Sequence, residues 1–493
     1  MHKNVHCFLI IFTFFNLLPV QSLPHFYDDV PDEELVQSII ENMTDEEMLG
    51  QMFFIGYLGR SPSRVILEWI SERNLGGLKI FTRNISSLTS LSTDIGKMQV
   101  LSLNGRFGIP MFVATDQEGG WVRHIQLESS ETPGNMALGA ANSPEDALLT
   151  GYYIGMELKT LGINMNFGPT VDVTYPNTTA GIGPRSFSSD PVLTGIMATA
   201  YFKGMESAGI ISVAKHFPGH GGAEDDSHGY LPEVTVSFEE LWDKDLLPYR
   251  FLIKEGLNAI MGGHIAFPDI TNENEPATVS GYLLHDVLRG LMNFEGILLT
   301  DDLEMYGANQ GKFELASLCR DAILAGNDMI LISHTPAFQI RAWERLLHLM
   351  SIDEAFYLRV KESASRILRV KLDVLKDEPF VLPDIESVNE NIPFSDAADF
   401  FFNSSCRAVT LVRNENIPYN NHQEDRILLV GQLEEFFDYG LEKYPDADTY
   451  SFDFHPIQYS NYSVREAVRR MASNYDTVIF GLSNMNSLKF LKL

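Results

Sequence analysis

The sequence is poor in cysteine. Only three of its 493 residues are Cys, and one of them, Cys7, lies in the apolar N-terminal run. Cys319 and Cys406 fall in different parts of the chain, which excludes a disulfide-stapled scaffold. Basic residues are also scarce: 36 Lys and Arg stand against 66 Asp and Glu, a formal net charge of −30. No basic stripe or tail offsets this, so nucleic acid is not expected as a partner. Long apolar runs are missing after the N-terminus. No later segment approaches the ~20 residues needed to span a bilayer, so stable membrane insertion is not expected.

The first residues have the opposite character. Met1-His2-Lys3 leads into the apolar run Cys7–Leu18, and Ser22 supplies a small residue where cleavage would fall. This is the pattern of a signal peptide over 1–22, with an uncleaved anchor as the alternative, and it implies a secreted or lysosomal protein. Sequons at Asn42, Asn84, Asn177, Asn403 and Asn461 agree with export and suggest a glycoprotein.

From Asp32 onward the pattern is strand then helix, repeated. Apolar strands are expected near 52–55, 78–81, 111–114, 165–171, 211–214, 259–262, 297–299 and 329–332. Helical patterns lie between them, for example 144–161, 191–208, 238–255 and 313–325. Ser143 and Asp190 stand before prolines as N-caps, and Gly162, Gly209, Gly256 and Gly326 are placed as left-handed C-caps. Eight such units over residues 32–375 fit an α/β fold of the (β/α)8 TIM-barrel type better than an open sheet. Periodicity does not show closure, so a doubly wound sheet stays open at this point. A linker is expected at 376–386. A C-terminal α/β domain is expected at 387–493, with strands at 408–412, 427–430 and 478–480. Three strands are few for burying helices, so this domain is expected to be an incomplete sandwich.

One stretch concentrates ionisable groups. Lys215-His216-Phe217-Pro218-Gly219-His220-Gly221-Gly222-Ala223-Glu224-Asp225-Asp226-Ser227-His228 begins where an apolar strand ends. A strand end positions such groups and solvent reaches them. Other strand ends in the pattern carry Asp116, Asp172, His264, Asp301 and His334, with Arg185 in the loop after Asp172. On a barrel all of these share one face.

Chemistry at an acetal carbon needs a carboxylate and a proton donor. Asp301, in Thr300-Asp301-Asp302-Leu303, is a candidate nucleophile. Asp302 is expected to face away, as successive strand residues do, and to serve as a capping or hydrogen-bonding group. Asp226-Ser227-His228 sets a carboxylate two residues from an imidazole, which would raise that ring's basicity. Spacing alone leaves open whether this is an acid/base pair or a solvated loop contact.

Taken together, Lys215–Gly221 with Asp226-Ser227-His228, Asp116-Gln117-Glu118-Gly119-Gly120, Arg185-Ser186-Phe187 and Thr300–Leu303 with Met305 resemble the β-N-acetylhexosaminidase branch of glycoside hydrolase family 3. The motifs run in the same order over about 300 residues. The resemblance implies a retaining β-N-acetylglucosaminidase on a (β/α)8 barrel, working without a cofactor or metal on carbohydrate that ends in N-acetylglucosamine. Asp301 would be the nucleophile and Asp226–His228 the acid/base dyad. Asp116, Arg185, Lys215 and His216 would bind the sugar. The family pattern places an Arg eight residues beyond the first Asp, where this sequence has His124, so Arg123 is assigned to that contact instead.

Three rival readings remain. Phosphorolysis fits a neutral His, which repels an incoming phosphate less than a Glu would. A metal-dependent hydrolase would draw on His216, His220, Asp225 and His228, but Lys215 stands inside that cluster and no His-Glu-x-x-His spacing occurs. A secreted carbohydrate-binding protein without catalysis would not need the nucleophile and dyad.

Overall fold

A computed structural model describes residues 23–175, 182–223, 229–271, 273–309, 314–377, 383, 385–412, 419, 425–452 and 458–481. The chain divides into two compact units, Met1–Val409 and Thr410–Leu493.

In the first unit, eight parallel strands close into a barrel: β1 (Phe53–Gly56), β2 (Gly77–Lys79), β3 (Phe112–Thr115), β6 (Met165–Asn166), β7 (Ile211–Phe217), β8 (Ala259–Gly262), β9 (Ile297–Asp302) and β10 (Met329–Ile332). Between β3 and β6 a small hairpin, β4 (Gln117–Gly119) and β5 (Val122–Arg123), stands apart from the ring. Around the ring the order is β1-β10-β9-β8-β7-β6-β3-β2, with β10 pairing back onto β1. This closure selects the barrel over the doubly wound sheet. The barrel strands are buried along nearly their whole length, as parallel strands covered by helices must be, which is why they read as apolar runs.

Local signals account for many element ends. Ser143 accepts from the Asp146 N–H, and Asp190 accepts from the Val192 and Leu193 N–H groups. Gly162, Gly209, Gly256 and Gly326 all take positive φ just past helix ends. Three expectations need correction. Strand β6 stops at Asn166, where the Gly168 N–H turns back to the Asn166 carbonyl and Pro169 then has no N–H to give; a lone bridge from Thr170 to Lys215 resumes the pairing. Strands β7 and β9 run on to Phe217 and Asp302, so Lys215, His216 and Asp301 sit within strands rather than after them. The helix expected over 238–255 is two helices, Phe238–Asp243 and Leu246–Lys254. Between them Asp245 is turned inward, where its carboxylate accepts from the Tyr175 hydroxyl at 2.6 Å.

On the N-terminal side of β10, buried Asp328 ties the barrel to the long helix Glu354–Leu375. Its carboxylate takes Arg289 at 2.7 Å, Arg366 at 2.6 Å and Arg359 at 3.2 Å, plus the Leu298 N–H. The expected linker at 376–386 lies largely outside the described residues. Helix Ile385–Asn391, which begins inside it, and helix Ala397–Ala408 belong to the first unit.

In the second unit a parallel sheet has the order β12 (Asp448–Ser451), β11 (Ile427–Gly431), β13 (Thr477–Phe480). Leu428, Val430, Phe452 and Val468 form its core. Of the strands expected here, 427–430 and 478–480 form, but 408–412 does not. Ala408 ends a helix, and Val409 and Val412 are exposed. Strand β12 was not anticipated, because its mostly polar and exposed residues carry no apolar signal.

Candidate active site

The C-terminal ends of the barrel strands and the loops beyond them enclose a cavity of about 270 Å³. Asp116, Arg185, Lys215, His216 and Asp301 all line it. They come from elements far apart in sequence, and the barrel's closure brings them together.

Asp116 leaves the end of β3 and is gripped by two ammonium groups. Lys215 Nζ lies 2.6 Å from its Oδ1, and Lys79 Nζ, from β2, pairs with its Oδ2. Burial opposes the charge on Asp116, but Lys215 and Lys79 outweigh it and hold the carboxyl well below its ordinary range. Glu118 on the hairpin is the second buried carboxylate. It accepts Arg185 through both oxygens, at 2.9 and 2.7 Å, and Lys215 at 2.6 Å. Against the cost of burial, Arg185 and Lys215 bring it from 4.5 to about 2. The hairpin places it there by turning sharply at Gly119 and Gly120, both at positive φ. A Cβ on Gly119 would sit 2.5 Å from Thr132 Oγ1, so no larger residue fits.

His216 is oriented from behind. Its Nδ1 lies 2.8 Å from Asp172 Oδ2, and its own N–H and that of His220 bond to Asp172 Oδ1. A carboxylate only accepts, so Nδ1 carries a proton, and Nε2 lies 3.3 Å from Arg185 Nη2. His220 also lines the cavity, and burial lowers its basicity.

Asp301 is the penultimate residue of β9, across the ring from β3. Burial raises its pKa, but His264, His216, the Asp302 N–H and Lys215 together bring it below the ordinary value, so it is ionised at neutral pH. Asp302 does not face away as expected; it too lines the cavity. One Asp302 oxygen accepts from the Glu304 N–H at 3.0 Å, and His334 Nε2 lies 3.3 Å from the other. Burial raises the Asp302 pKa, the reverse of its neighbour. His264 is buried between Thr278 and the Asp302 carbonyl and supports the floor from below.

Arg123 turns away from the cavity. It donates to the Ser130 carbonyl at 3.0 Å and reaches Glu131 at 3.3 Å, while Val122 and His124 line the cavity instead. Alternation along the hairpin decides this, since residues on either side of Arg123 share the opposite face. His124 Nδ1 stands 3.8 Å from Asp116 Oδ2. Asp226 and His228 lie outside the described residues. Lys79 was not singled out, Glu118 entered only as part of the Asp116–Gly120 motif, and His334, expected at a strand end, does line the cavity. For Lys79 the available signal was a lone cation inside the apolar run Leu78-Lys79-Ile80-Phe81.

A closed (β/α)8 barrel with ionised carboxylates, cations and an oriented imidazole at its strand ends is the framework of a barrel enzyme. Residues 43–370 match the family model described as the glycosyl hydrolase family 3 N-terminal domain, and the chain belongs to that family of glycoside hydrolases. A β-hexosaminidase of Methylococcus capsulatus is 34% identical over 279 residues, covering 55% of this chain and 78% of that protein. β-Hexosaminidase A of Pseudoalteromonas piscicida is 33% identical over 296 residues, and the matched region spans about half (50%) of its length. Among solved structures, a family 3 β-N-acetylglucosaminidase from Paenibacillus sp. str. FPU-7 superposes with a TM-score of 0.79 at 28% identity, over 89% of this chain and 84% of that one.

Proposed function

We propose that the protein is a retaining β-N-acetylhexosaminidase that releases terminal β-linked N-acetylglucosamine from glycans. The observation that carries this reading is the single cavity shared by Asp301, Asp116, Arg185, Lys215 and His216. A retaining glycosidase needs an ionised carboxylate beside the anomeric carbon, and Asp301 is held in that state. Buried charged groups across the ring suit the hydroxyls of a neutral sugar, since each has a partner that fixes its geometry before substrate arrives. Relatives named β-hexosaminidase support the choice of substrate. In this reading Asp226 and His228 supply the proton to the leaving group and later activate water. The N-terminal 22 residues direct the protein to secretion or a lysosome.

The test is turnover of a chromogenic N-acetyl-β-glucosaminide. Asp301→Ala should abolish it while leaving the fold intact, and a slow fluorinated substrate should label Asp301. Label on Asp302 or Glu304 would refute the assignment of the nucleophile. Phosphate-dependent release of a sugar phosphate would refute hydrolysis.

A further inference from the structure

Resting on that reading, we propose that Lys79 binds the substrate directly, as the donor half of a hydroxyl-reading pair whose acceptor half is Asp116. Lys79 comes from β2, with Gly56 of β1 and Ala114 of β3 as its register partners. It lines the cavity, and only 5% of the residue is exposed. Among the described residues its ammonium group meets one anion, Asp116, and otherwise faces rings: Phe167 with its centroid at 4.3 Å and Phe81 at 5.1 Å. An ammonium group has three donors, and aromatic faces stabilise its charge without accepting a conventional hydrogen bond.

The second cation on Asp116 is placed differently. Lys215 is shared between Asp116 Oδ1 and Glu118 Oε1, both at 2.6 Å, so two carboxylates already draw on it. Lys79 therefore has more donor capacity left for a ligand. A sugar hydroxyl both donates and accepts. Beside this pair it would donate to Asp116 and accept from Lys79, a combination that an ether oxygen or a hydrogen in its place does not satisfy. Because β3 lies across the ring from β9, the hydroxyl read here belongs to the part of the sugar remote from the carbon attacked by Asp301. Lys79 thus acts on which sugar is accepted and how it is held, and takes no part in bond cleavage.

The experiment crosses enzyme variants with substrates. Wild type and Lys79→Met are assayed on an aryl N-acetyl-β-glucosaminide and on its 3-, 4- and 6-deoxy analogues, comparing kcat/KM. On the parent compound the substitution should cost about 10- to 100-fold, the factor expected of a charged hydrogen bond. On one deoxy analogue that penalty should shrink to within about 3-fold, since the hydroxyl it depended on is gone. Comparing substrates on the same preparation cancels any loss of folded enzyme. Equal penalties on all four substrates would overturn the proposal and leave Lys79 as a structural partner of Asp116. Lys79→Arg, which keeps the charge and donors, should retain the wild-type ranking of the deoxy substrates; a ranking like that of Lys79→Met would count against it. Failure of wild type to cleave the parent compound would refute the proposed function instead, and is read from a separate arm.

Discussion

Replacing Glu118 with Gln tests whether the ion network holds the site in shape. The side chain is 1% exposed and bridges Arg185 and Lys215. A carboxyl held at about 2 instead of 4.5 has its charged form favoured by about 3 kcal/mol, at about 1.36 kcal/mol per decade. Because the folded value is depressed, this contribution is fully present above the unfolded value and is lost as pH falls through about 2. At pH 7 the Gln variant should be less stable by about 3 kcal/mol, or roughly 4 °C in Tm for a unit that runs to Val409. At pH 3, one decade above the folded value, the deficit should shrink to about 1.4 kcal/mol. Urea unfolding of wild type and variant at the two pH values measures both numbers. The substitution also takes the double acceptor from Arg185, so KM for the aryl glycoside should rise more than kcat falls. A deficit under about 1 kcal/mol at pH 7, or one that does not change with pH, would refute the reasoning.

Other consequences follow from buried charge elsewhere. Asp328→Asn takes from Arg289, Arg359 and Arg366 the buried anion they share, leaving only Glu362 at the edge of Arg359 and Arg366, and should cost about 3–5 kcal/mol in the same unfolding assay. It should leave the KM of the folded enzyme unchanged, since Asp328 does not line the cavity. Lys371 is fully buried; its ammonium nitrogen lies 2.8 Å from Gln51 Oε1, and burial holds its basicity well below normal. Lys371→Met should therefore stabilise the protein, by about 1–2 kcal/mol at pH 7. The gain should fade toward pH 10, where the unfolded lysine also loses its proton and wild type recovers.

Several features of this protein were legible in the chain as written. Apolar runs of strand length alternating with capped helices define the β/α repeat, because burial on both faces demands continuous apolar strands. Glycines at 162, 209, 256 and 326 mark helix ends, because positive φ is open to them at little cost. Ionisable residues at strand ends mark the functional face. These are local preferences, and each is written within a few neighbouring residues.

The tertiary structure decided what depends on distant partners. Ring closure required β1 to meet β10, a pairing between residues 53–55 and 330–332 that periodicity does not encode. Lys79 read as one polar residue in an apolar strand until Asp116, 37 positions away, was brought beside it. Glu118 read as part of a turn until Arg185 folded onto it from 67 positions away. Whether Arg123 or His124 faces the cavity turned on the alternation of a hairpin whose register its two short strands set together. For Lys79 and Glu118 the charge is tolerable only because a distant part of the chain supplies a partner, since a buried ion without one would be expelled or neutralised. The sequence carries both halves of each pair, and only the closed barrel puts them within reach.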